Sequence, residues 1–372
     1  MYRKAIELDP GYALAHARLS YLETSKFYWY QVDASDARLL DARLEAERAM
    51  TLDPDLAESH VATGYLDYVQ RDFRKAVKEF ERALQLDGNN VMVLTTLGYA
   101  ERRLGAVEEF LRHHRKAAQL DPHSAVWPED IAYTLTMVRR YQEAEQVFDG
   151  VLARVPDSEI ALIDKSRLML SWKGDDRLAK EILATLPARI DPSGNLTLNK
   201  HLLDLMKLYP QQASAALAST SIEFFIARNT AFPRAFIEAL AAAVDGDSTR
   251  AAAHYDVARV QLEAKVKEHP DEWRFRSALG RVYAGLGRKA DAIREGVKAV
   301  ELLPVSKDAV DGPSVLEELA AVHAQIGEPD QAIEIVERLL SIPGYLSAPL
   351  LRIDLKWAPL RQDSRFRKLA GL

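Results

Sequence analysis

The chain has no cysteine and no long apolar segment. Its 372 residues therefore form neither a disulfide framework nor a thiolate zinc site. No apolar run approaches the roughly 18 residues that a membrane-spanning helix needs, so we expect no membrane insertion. The stretch Met1–Leu8 has the pattern of an amphipathic helix end without an apolar signal core. These absences lead us to expect a cytoplasmic protein.

No charge of one sign dominates, and no catalytic motif is present. The 49 basic residues are balanced by 55 acidic ones, which gives a formal net charge of −6. Domains that bind nucleic acid usually carry a clear basic excess, so we expect no nucleic-acid partner. The sequence also lacks a Gly-rich phosphate loop, a nucleophile elbow and a His-Glu-x-x-His motif. We therefore predict that the chain is not an enzyme and needs no cofactor.

What the sequence does contain is a repeat. The short motifs that close successive segments end at positions 54, 88, 122 and 156, each 34 residues after the last. Prolines at positions 270 and 304 repeat the same interval near the other end. A fixed period in this range indicates a solenoid of stacked supersecondary units. Each unit holds two helical patterns, so we predict an all-α fold.

Small and aromatic residues recur at fixed places within the units. In the unit that ends at Gly88, Gly64 lies in the first helix, and Ala76, Phe80 and Ala83 lie in the second. Small residues let two helices approach closely, and a large residue fills the remaining volume. The next two units keep this order with Gly98, Phe110 and Ala117, and then with Ala132, Ala144 and Phe148.

This pattern resembles the tetratricopeptide repeat family. The resemblance implies an α-solenoid, a right-handed superhelix of antiparallel helix pairs that serves as a binding scaffold. We divide the chain into an N-terminal stack over 1–156, degenerate helical repeats or a connector over 157–232, a C-terminal stack over 233–343 and a capping segment over 344–372. The helix after Gly246 is predicted to end near Glu268.

The first repeat is irregular. Residues 1–10 have the pattern of a second helix without its first, so we expect the natural chain to continue upstream. The spacing from Pro10 to Pro54 is ten residues longer than the period, which predicts an insertion near 24–38. This insertion contains the aromatic run Phe27, Tyr28, Trp29 and Tyr30. The run either covers a lengthened first helix or forms an exposed patch for a partner or for a second copy of the chain.

Residues from about 230 to 372 have a second resemblance. With the turn Gly285–Arg288 and the tail that holds Trp357 and Phe366, they are similar to the C-terminal repeat regions of bacterial signalling proteins. Such proteins carry a Ser/Thr kinase, a nucleotide cyclase or a winged-helix regulator upstream. The resemblance implies that the chain is the sensory or partner-binding half of a larger signalling protein.

In the tetratricopeptide repeat family the first helix of each pair lines a concave groove. Tyrosine offers rigid contact area with a polar tip, and arginine offers forked donors for carboxylates. We therefore predict a groove for an extended acidic or aromatic peptide of a protein partner. The alternative is that the paired arginines only satisfy carbonyls at the ends of their own helices. The implied groove residues are Tyr65, Tyr68, Thr95, Tyr99, Arg102, Arg103, Tyr133, Thr136, Met137, Arg139 and Arg140.

The histidines do not predict a metal site. His113 and His114 are adjacent, so their side chains point about 100° apart on a helix. His114 also takes the position that Phe80 and Phe148 hold in the neighbouring units, which predicts that it is packed.

Our first hypothesis is a non-catalytic interaction module that regulates a signalling output by binding a protein or peptide in its groove. A self-assembling adaptor and a small-ligand-binding regulatory domain are the alternatives. An enzyme in the irregular region 156–232 is disfavoured, because that region holds one histidine, His201, and no acid–base constellation.

Overall fold

Antiparallel helix pairs joined by short turns make up most of the chain. In the computed structural model, residues 1–30, 36–185, 205–218, 220–227 and 230–372 are described. They form two units: one comprises residues 1–131 with 307–309, and the other comprises 132–306 with 310–372. None of the described helices is both long and apolar enough to cross a membrane. The predicted all-α solenoid is confirmed.

The N-terminal unit follows the 34-residue period closely after its first helices. A π-helix, Lys26–Tyr30, lies in the predicted insertion. The α-helices are α1 (Tyr2–Leu8), α2 (Ala13–Ser25), α3 (Asp36–Leu52), α4 (Ala57–Val69), α5 (Phe73–Leu86), α6 (Val91–Arg103) and α7 (Val107–Leu120), and α8 (Val126–Met137) continues from this unit into the next.

The described part of the second unit is helical apart from one hairpin. Its next helices are α9 (Tyr141–Arg154), α10 (Glu159–Lys173), α11 (Arg177–Ala184) and α12 (Pro210–Leu217). After the hairpin come α13 (Arg234–Val244), α14 (Ser248–Glu268), α15 (Trp273–Gly285), α16 (Lys289–Leu302), α17 (Gly312–Ile326), α18 (Pro329–Ser341), α19 (Ala348–Ile353), a 3₁₀ helix (Leu355–Leu360) and α20 (Ser364–Ala370).

The hairpin is the element that the sequence analysis missed. Strands β1 (Phe224–Ala227) and β2 (Thr230–Pro233) pair antiparallel, with Phe225 opposite Phe232. Both phenylalanines are buried in the main core of the second unit. Each strand has only four residues, too few for a clear alternating pattern. The single histidine of this region, His201, lies outside the described residues.

Close packing of glycine against an aromatic ring sets the helix pairs of the N-terminal unit. A Cβ atom added to Gly64 would lie 2.7 Å from Cε1 of Phe80, so only glycine fits this position without movement. The turn before α5 is fixed by Asp72, whose side chain accepts a hydrogen bond from the Lys75 amide. The predicted small and aromatic positions are thus the contacts that hold α4 against α5.

The C-terminal tail packs against the last helices of the second unit. Trp357, Leu360 and Phe366 are buried in one cluster with residues of α17 and α18, such as Val336. Asp363 starts α20 by accepting a hydrogen bond from the Arg365 amide.

Candidate binding groove

Three equivalent turn positions follow α4, α6 and α8. Arg71, Gly105 and Arg139 are 34 residues apart, and all three have a positive φ, of 62°, 84° and 61°. This left-handed conformation suits glycine and costs other residues roughly 1–2 kcal/mol. Arginine at two of the three positions therefore needs a reason, and each side chain contacts a segment far along the chain.

In the N-terminal unit, Arg103 and Arg71 enclose the carboxylate of Asp308. Arg103 Nη1 donates hydrogen bonds to Oδ1 and Oδ2 of Asp308, at 3.0 and 2.8 Å. Arg71 Nη1 also donates to Oδ2. Both Asp308 and the Arg103 side chain are 0% exposed. The Ala309 amide adds a main-chain hydrogen bond, because it donates to the carbonyl oxygen of Arg103 at 2.8 Å.

Tyrosines hold the Arg103 guanidinium in place. Its Nε atom donates to the Tyr68 hydroxyl at 3.2 Å, and its Nη2 atom donates to the Tyr28 hydroxyl at 3.3 Å. The rings of Tyr28 and Tyr68 meet edge to face at 5.5 Å, and Tyr65 stacks on Tyr68 at 5.9 Å. Burial raises the pKa of the Tyr65 hydroxyl well above its usual value. The stacked tyrosines and their hydroxyl groups therefore orient the Arg103 guanidinium so that its Nη1 atom faces Asp308.

A second carboxylate lies one repeat further along. Tyr99 donates to Oδ2 of Asp130 at 2.6 Å, and Arg102 Nη1 lies 3.8 Å from Oδ1. The Arg102 guanidinium lies over the ring of Phe110, 4.7 Å from its centroid. Burial raises the pKa of Tyr99 well above its usual value, and the Asp130 carboxylate adds to the rise. Thr95 is buried and donates to its own helix, at the Met92 carbonyl.

In the second unit, Arg139 contacts the end of α18 and the segment that follows it. It donates to the carbonyls of Ile342 at 2.8 Å and of Leu339 and Leu346 at 3.1 Å. The Gly344 amide donates to the Met137 carbonyl at 2.8 Å. Met137 is 34 residues after Arg103, so the same backbone position accepts an amide from a remote segment in both repeats. Nearby, the rings of Tyr133 and Tyr345 lie 5.1 Å apart.

Most of the predicted groove residues are buried against distant parts of their own unit. Others donate hydrogen bonds to residues nearby in sequence or stay partly exposed. Thr136 donates to the Ala132 carbonyl within its helix, and Arg140 stays half-buried, with its hydrogen bond to Glu143 at 2.6 Å. Tyr28, predicted as part of a separate aromatic patch, joins the Arg103 cluster instead. Phe27 is half-buried, and the side chains of Trp29 and Tyr30 lie outside the described part of the chain.

Sequence reasoning missed Asp308 and the segment around Gly344. The sequence feature that comes closest to indicating the segment around Asp308 is the length of the connection between its flanking helices. Residues 303–311 separate α16 from α17, nine residues in place of the four (87–90) that separate α5 from α6. Long connections in a regular solenoid often carry function. Length alone does not say where such a segment binds.

The second unit also contains a cleft with paired charges. Lys207 Nζ donates to Oε1 of Glu318 at 3.1 Å, and Arg281 Nη1 donates to Oε2 at 2.9 Å. Lys356 Nζ donates to Glu317 at 2.6 Å. Four of these residues, all but Arg281, line a cleft of about 680 Å³ that is partly open to solvent.

The pKa values of Glu317 and Glu318 are shifted in opposite directions. Burial acts to raise the pKa of Glu318, but Lys207 and Arg281 outweigh it and hold that pKa well below its usual value. Burial raises the pKa of Glu317 although Lys356 opposes the rise.

The histidines take packing positions. His114 stacks on Phe110 with ring centroids 3.9 Å apart, and neither ring nitrogen has a hydrogen-bond partner. Burial lowers the pKa of His114 well below its usual value, and the neighbouring Arg102 lowers it further. His113 pairs with Glu101 at 2.7 Å. Among the described residues no group of three or more potential ligands could hold a metal ion.

Comparison with known proteins agrees with the repeat. The sequence model of the tetratricopeptide repeat family matches residues 61–125 and 246–307, so these two stretches are similar to repeats of that family. Proteins built from such repeats are generally non-catalytic scaffolds for protein–protein interaction.

Solved structures with a similar fold are distant in sequence. YrrB, described as a tetratricopeptide repeat protein with an unusual peptide-binding site, is 19% identical over 59% of this chain and 98% of its own, with a TM-score of 0.38. A tetratricopeptide repeat protein from Parabacteroides merdae ATCC 43184 is 13% identical over 95% and 98%, with a TM-score of 0.34. Pseudomonas aeruginosa pilF is 16% identical over 71% and 95%, with a TM-score of 0.37. These similarities carry no argument about the partner of this chain.

Proposed function

We propose that the chain is a non-catalytic scaffold that binds an extended acidic segment of a protein partner in the groove of its N-terminal unit. The observation that supports this most directly is the Arg103 fork around a carboxylate, together with the main-chain hydrogen bond at the same residue. In this proposal, Arg103 recognises both the side-chain charge and a backbone amide of the partner segment. Such a site suits an extended strand with one Asp or Glu side chain.

The surroundings of Arg103 support recognition of an acid rather than of a neutral side chain. The guanidinium is buried, so a partner that brought no negative charge would leave a cation without compensation. Its Nε and Nη2 atoms already donate to tyrosine hydroxyls, which leaves the Nη1 donor to face the ligand position. A carboxylate accepts at both of its oxygens here, whereas an amide offers only one acceptor.

The cellular role follows from the resemblance to bacterial signalling proteins. In this proposal the chain is the regulatory or sensory module of a cytoplasmic signalling protein. Partner binding in the groove would then set the activity of a catalytic or DNA-binding domain upstream on the same polypeptide.

An array of peptides tests the groove. Each peptide that contains Asp or Glu is printed beside its Asn or Gln version, and binding of the labelled chain is compared with that of the Arg103→Gln variant. We expect a preference for the acidic version that the variant lacks. The control Arg74→Gln removes the same charge from an exposed position of α5 and should keep the preference. Equal binding of both versions by a folded wild-type chain would refute the proposal.

A second candidate is a small-ligand regulatory site in the cleft of the second unit. The supporting observation is that Lys207, Lys356, Glu317 and Glu318 line one cavity, so an ammonium and a carboxylate group would both find partners there. Thermal unfolding with free amino acids and dipeptides tests it, because binding raises the melting temperature. Loss of that shift in Lys207→Met would locate the ligand.

Self-assembly through the aromatic run has less support. Tyr28 contacts Tyr68 and Arg103 of its own chain. Light scattering at high concentration would reveal any homo-oligomer.

A further inference from the structure

The groove of the N-terminal unit already holds a ligand-like segment. Residues 307–309 belong to this unit, although Asp308 lies 205 positions after the Arg103 side chain that binds it. We infer that residues 307–309 are an internal competitor, and that an acidic partner segment binds only when they leave. This inference rests on the proposed function, because it describes how the same site is regulated.

The two ligands must exclude each other. Both carboxylate oxygens of Asp308 accept hydrogen bonds from Nη1 of Arg103, and Arg71 contacts the same carboxylate. A second carboxylate at this fully buried position would lie beside the first, and like charges at such a distance repel strongly. The Arg103 carbonyl is likewise occupied by the Ala309 amide. An incoming strand therefore needs the same side-chain donors and the same backbone acceptor.

The segment is built so that it can leave. It lies in the nine-residue connection 303–311 rather than in a helix, so its release does not require the helical hydrogen bonds of α16 or α17 to break. Within residues 307–309, Lys307 is exposed, Ala309 is half-buried and Asp308 is fully buried. Their contacts with the rest of the N-terminal unit include the ion pairs of one charged side chain and one backbone hydrogen bond.

Residues 307–309 compete effectively because they are covalently connected to the protein that contains the site. A tethered segment faces its site at an effective concentration that reaches the millimolar range for short flexible tethers. The apparent affinity for a free partner equals its intrinsic affinity multiplied by the fraction of molecules whose site is empty. A partner of ordinary affinity is then excluded until its own local concentration is high, for example when it is held on the same assembly.

The internal segment also indicates the chemistry of the partner. Asp308 supplies the acid, and the next residue, Ala309, places its methyl group beside Gly105. A Cβ atom added to Gly105 would lie 3.7 Å from Cβ of Ala309, so the side chain after the acid meets the turn directly. We therefore expect the external ligand to be an extended segment in which Asp or Glu is followed by a small residue.

The chain provides its own probe. A fluorescent peptide with the sequence of residues 303–313 is titrated into the wild-type chain and into Asp308→Asn, with fluorescence anisotropy as the readout. We expect the variant to bind at least about tenfold more tightly, because its internal segment competes less well. The same peptide with Asn in place of its first Asp should bind neither chain. Lys307→Gln, a change at the exposed neighbour, should bind the peptide as the wild type does.

The outcomes separate the inference from the proposed function. Equal affinity of the wild type and Asp308→Asn for the acidic peptide would overturn internal competition but leave the acidic groove intact. Absence of binding to both chains, each shown to be folded by circular dichroism, would overturn both proposals.

A second measurement does not depend on the variant. Saturating peptide should speed hydrogen exchange of the Ala309 amide in the wild-type chain, because its hydrogen bond to Arg103 is lost. Unchanged protection of that amide in the peptide-bound chain would overturn the inference.

Discussion

Gly98 lies directly against the ring of His114, in the arrangement that Gly64 has with Phe80. A Cβ atom added to Gly98 would lie 2.6 Å from Nδ1 of His114, and one added to Gly64 would lie 2.7 Å from Cε1 of Phe80. Neither nitrogen of His114 has a hydrogen-bond partner. The repeat therefore uses this histidine for its ring and not for its acid–base chemistry.

The first prediction is that His114→Phe stabilises the chain. It removes two buried unpaired nitrogens, so we expect the free energy of unfolding at pH 7.5 to rise by about 1 kcal/mol. Burial lowers the pKa of His114 in the folded chain, so on acidification the unfolded chain takes up the proton first. The wild type therefore loses stability as the pH falls below about 6.5, and the variant lacks this loss.

Urea unfolding at pH 7.5 and pH 5.5 measures both effects. His123→Gln changes an exposed histidine and should behave as the wild type does. If His114→Phe loses as much stability on acidification as the wild type, the account of this residue is wrong.

The second prediction concerns glycine. Gly64→Ala places a methyl group against Phe80 and Glu79, so we expect a loss of about 1–3 kcal/mol in the free energy of unfolding. Gly150→Ala is the matched control: it lies within α9, and its Cβ would meet nothing within 4 Å. Helix propensity alone should make that variant more stable by about 0.5–1 kcal/mol. Effects of equal sign in the two variants would refute the close-packing argument.

The third prediction concerns Arg139. Arg139→Gly relieves backbone strain of roughly 1–2 kcal/mol at the positive φ. It also removes three hydrogen bonds from a charged donor to the segment 339–346, each worth roughly 1.5–3 kcal/mol. We expect a net loss of at least about 2 kcal/mol, measured by urea unfolding. Arg140→Ala, next in sequence, loses a partly exposed pair with Glu143 and should change stability by less than about 1 kcal/mol. A glycine variant as stable as the wild type would contradict the role of Arg139.

The fourth prediction separates two adjacent glutamates. Glu318→Gln leaves Lys207 and Arg281 without their shared carboxylate, so we expect a loss of about 3 kcal/mol at pH 7. Glu317→Gln should cost less, because burial already disfavours the ionised form of Glu317 and raises its pKa.

The dependence on pH checks this assignment. The pKa of Glu318 is held low in the folded chain, so its contribution to stability is present above the unfolded value near 4.3 and is lost as the pH falls below it. Acid titration of the unfolding free energy should therefore show a smaller loss in Glu318→Gln than in the wild type. An identical acid profile would contradict the assignment.

Local features of the fold were predictable because they depend on neighbours in sequence. The period predicted two helices in each unit, since turn residues and apolar spacing are repeated in each unit. The end of α14 at Glu268 was predicted in the same way. The burial of His114 followed from its alignment with Phe80.

Long-range features were not predictable from the same pattern. No periodic signal connects Asp308 with Arg103, because the contact joins the connection after α16 to the end of α6. The positive φ of Arg71 was hidden for a related reason: its neighbours in sequence give no sign of the distant carboxylate that it contacts. The hairpin of β1 and β2 was too short to show an alternating pattern.

The most direct test of the central claim is the dependence of peptide binding on Arg103. The peptide of residues 303–313 is titrated into Asp308→Asn and into the double variant Asp308→Asn/Arg103→Gln, with folding of both checked by circular dichroism. If Arg103 recognises the carboxylate, the double variant loses binding of the acidic peptide. Binding that persists in the folded double variant would contradict the claim that this groove reads an acidic segment.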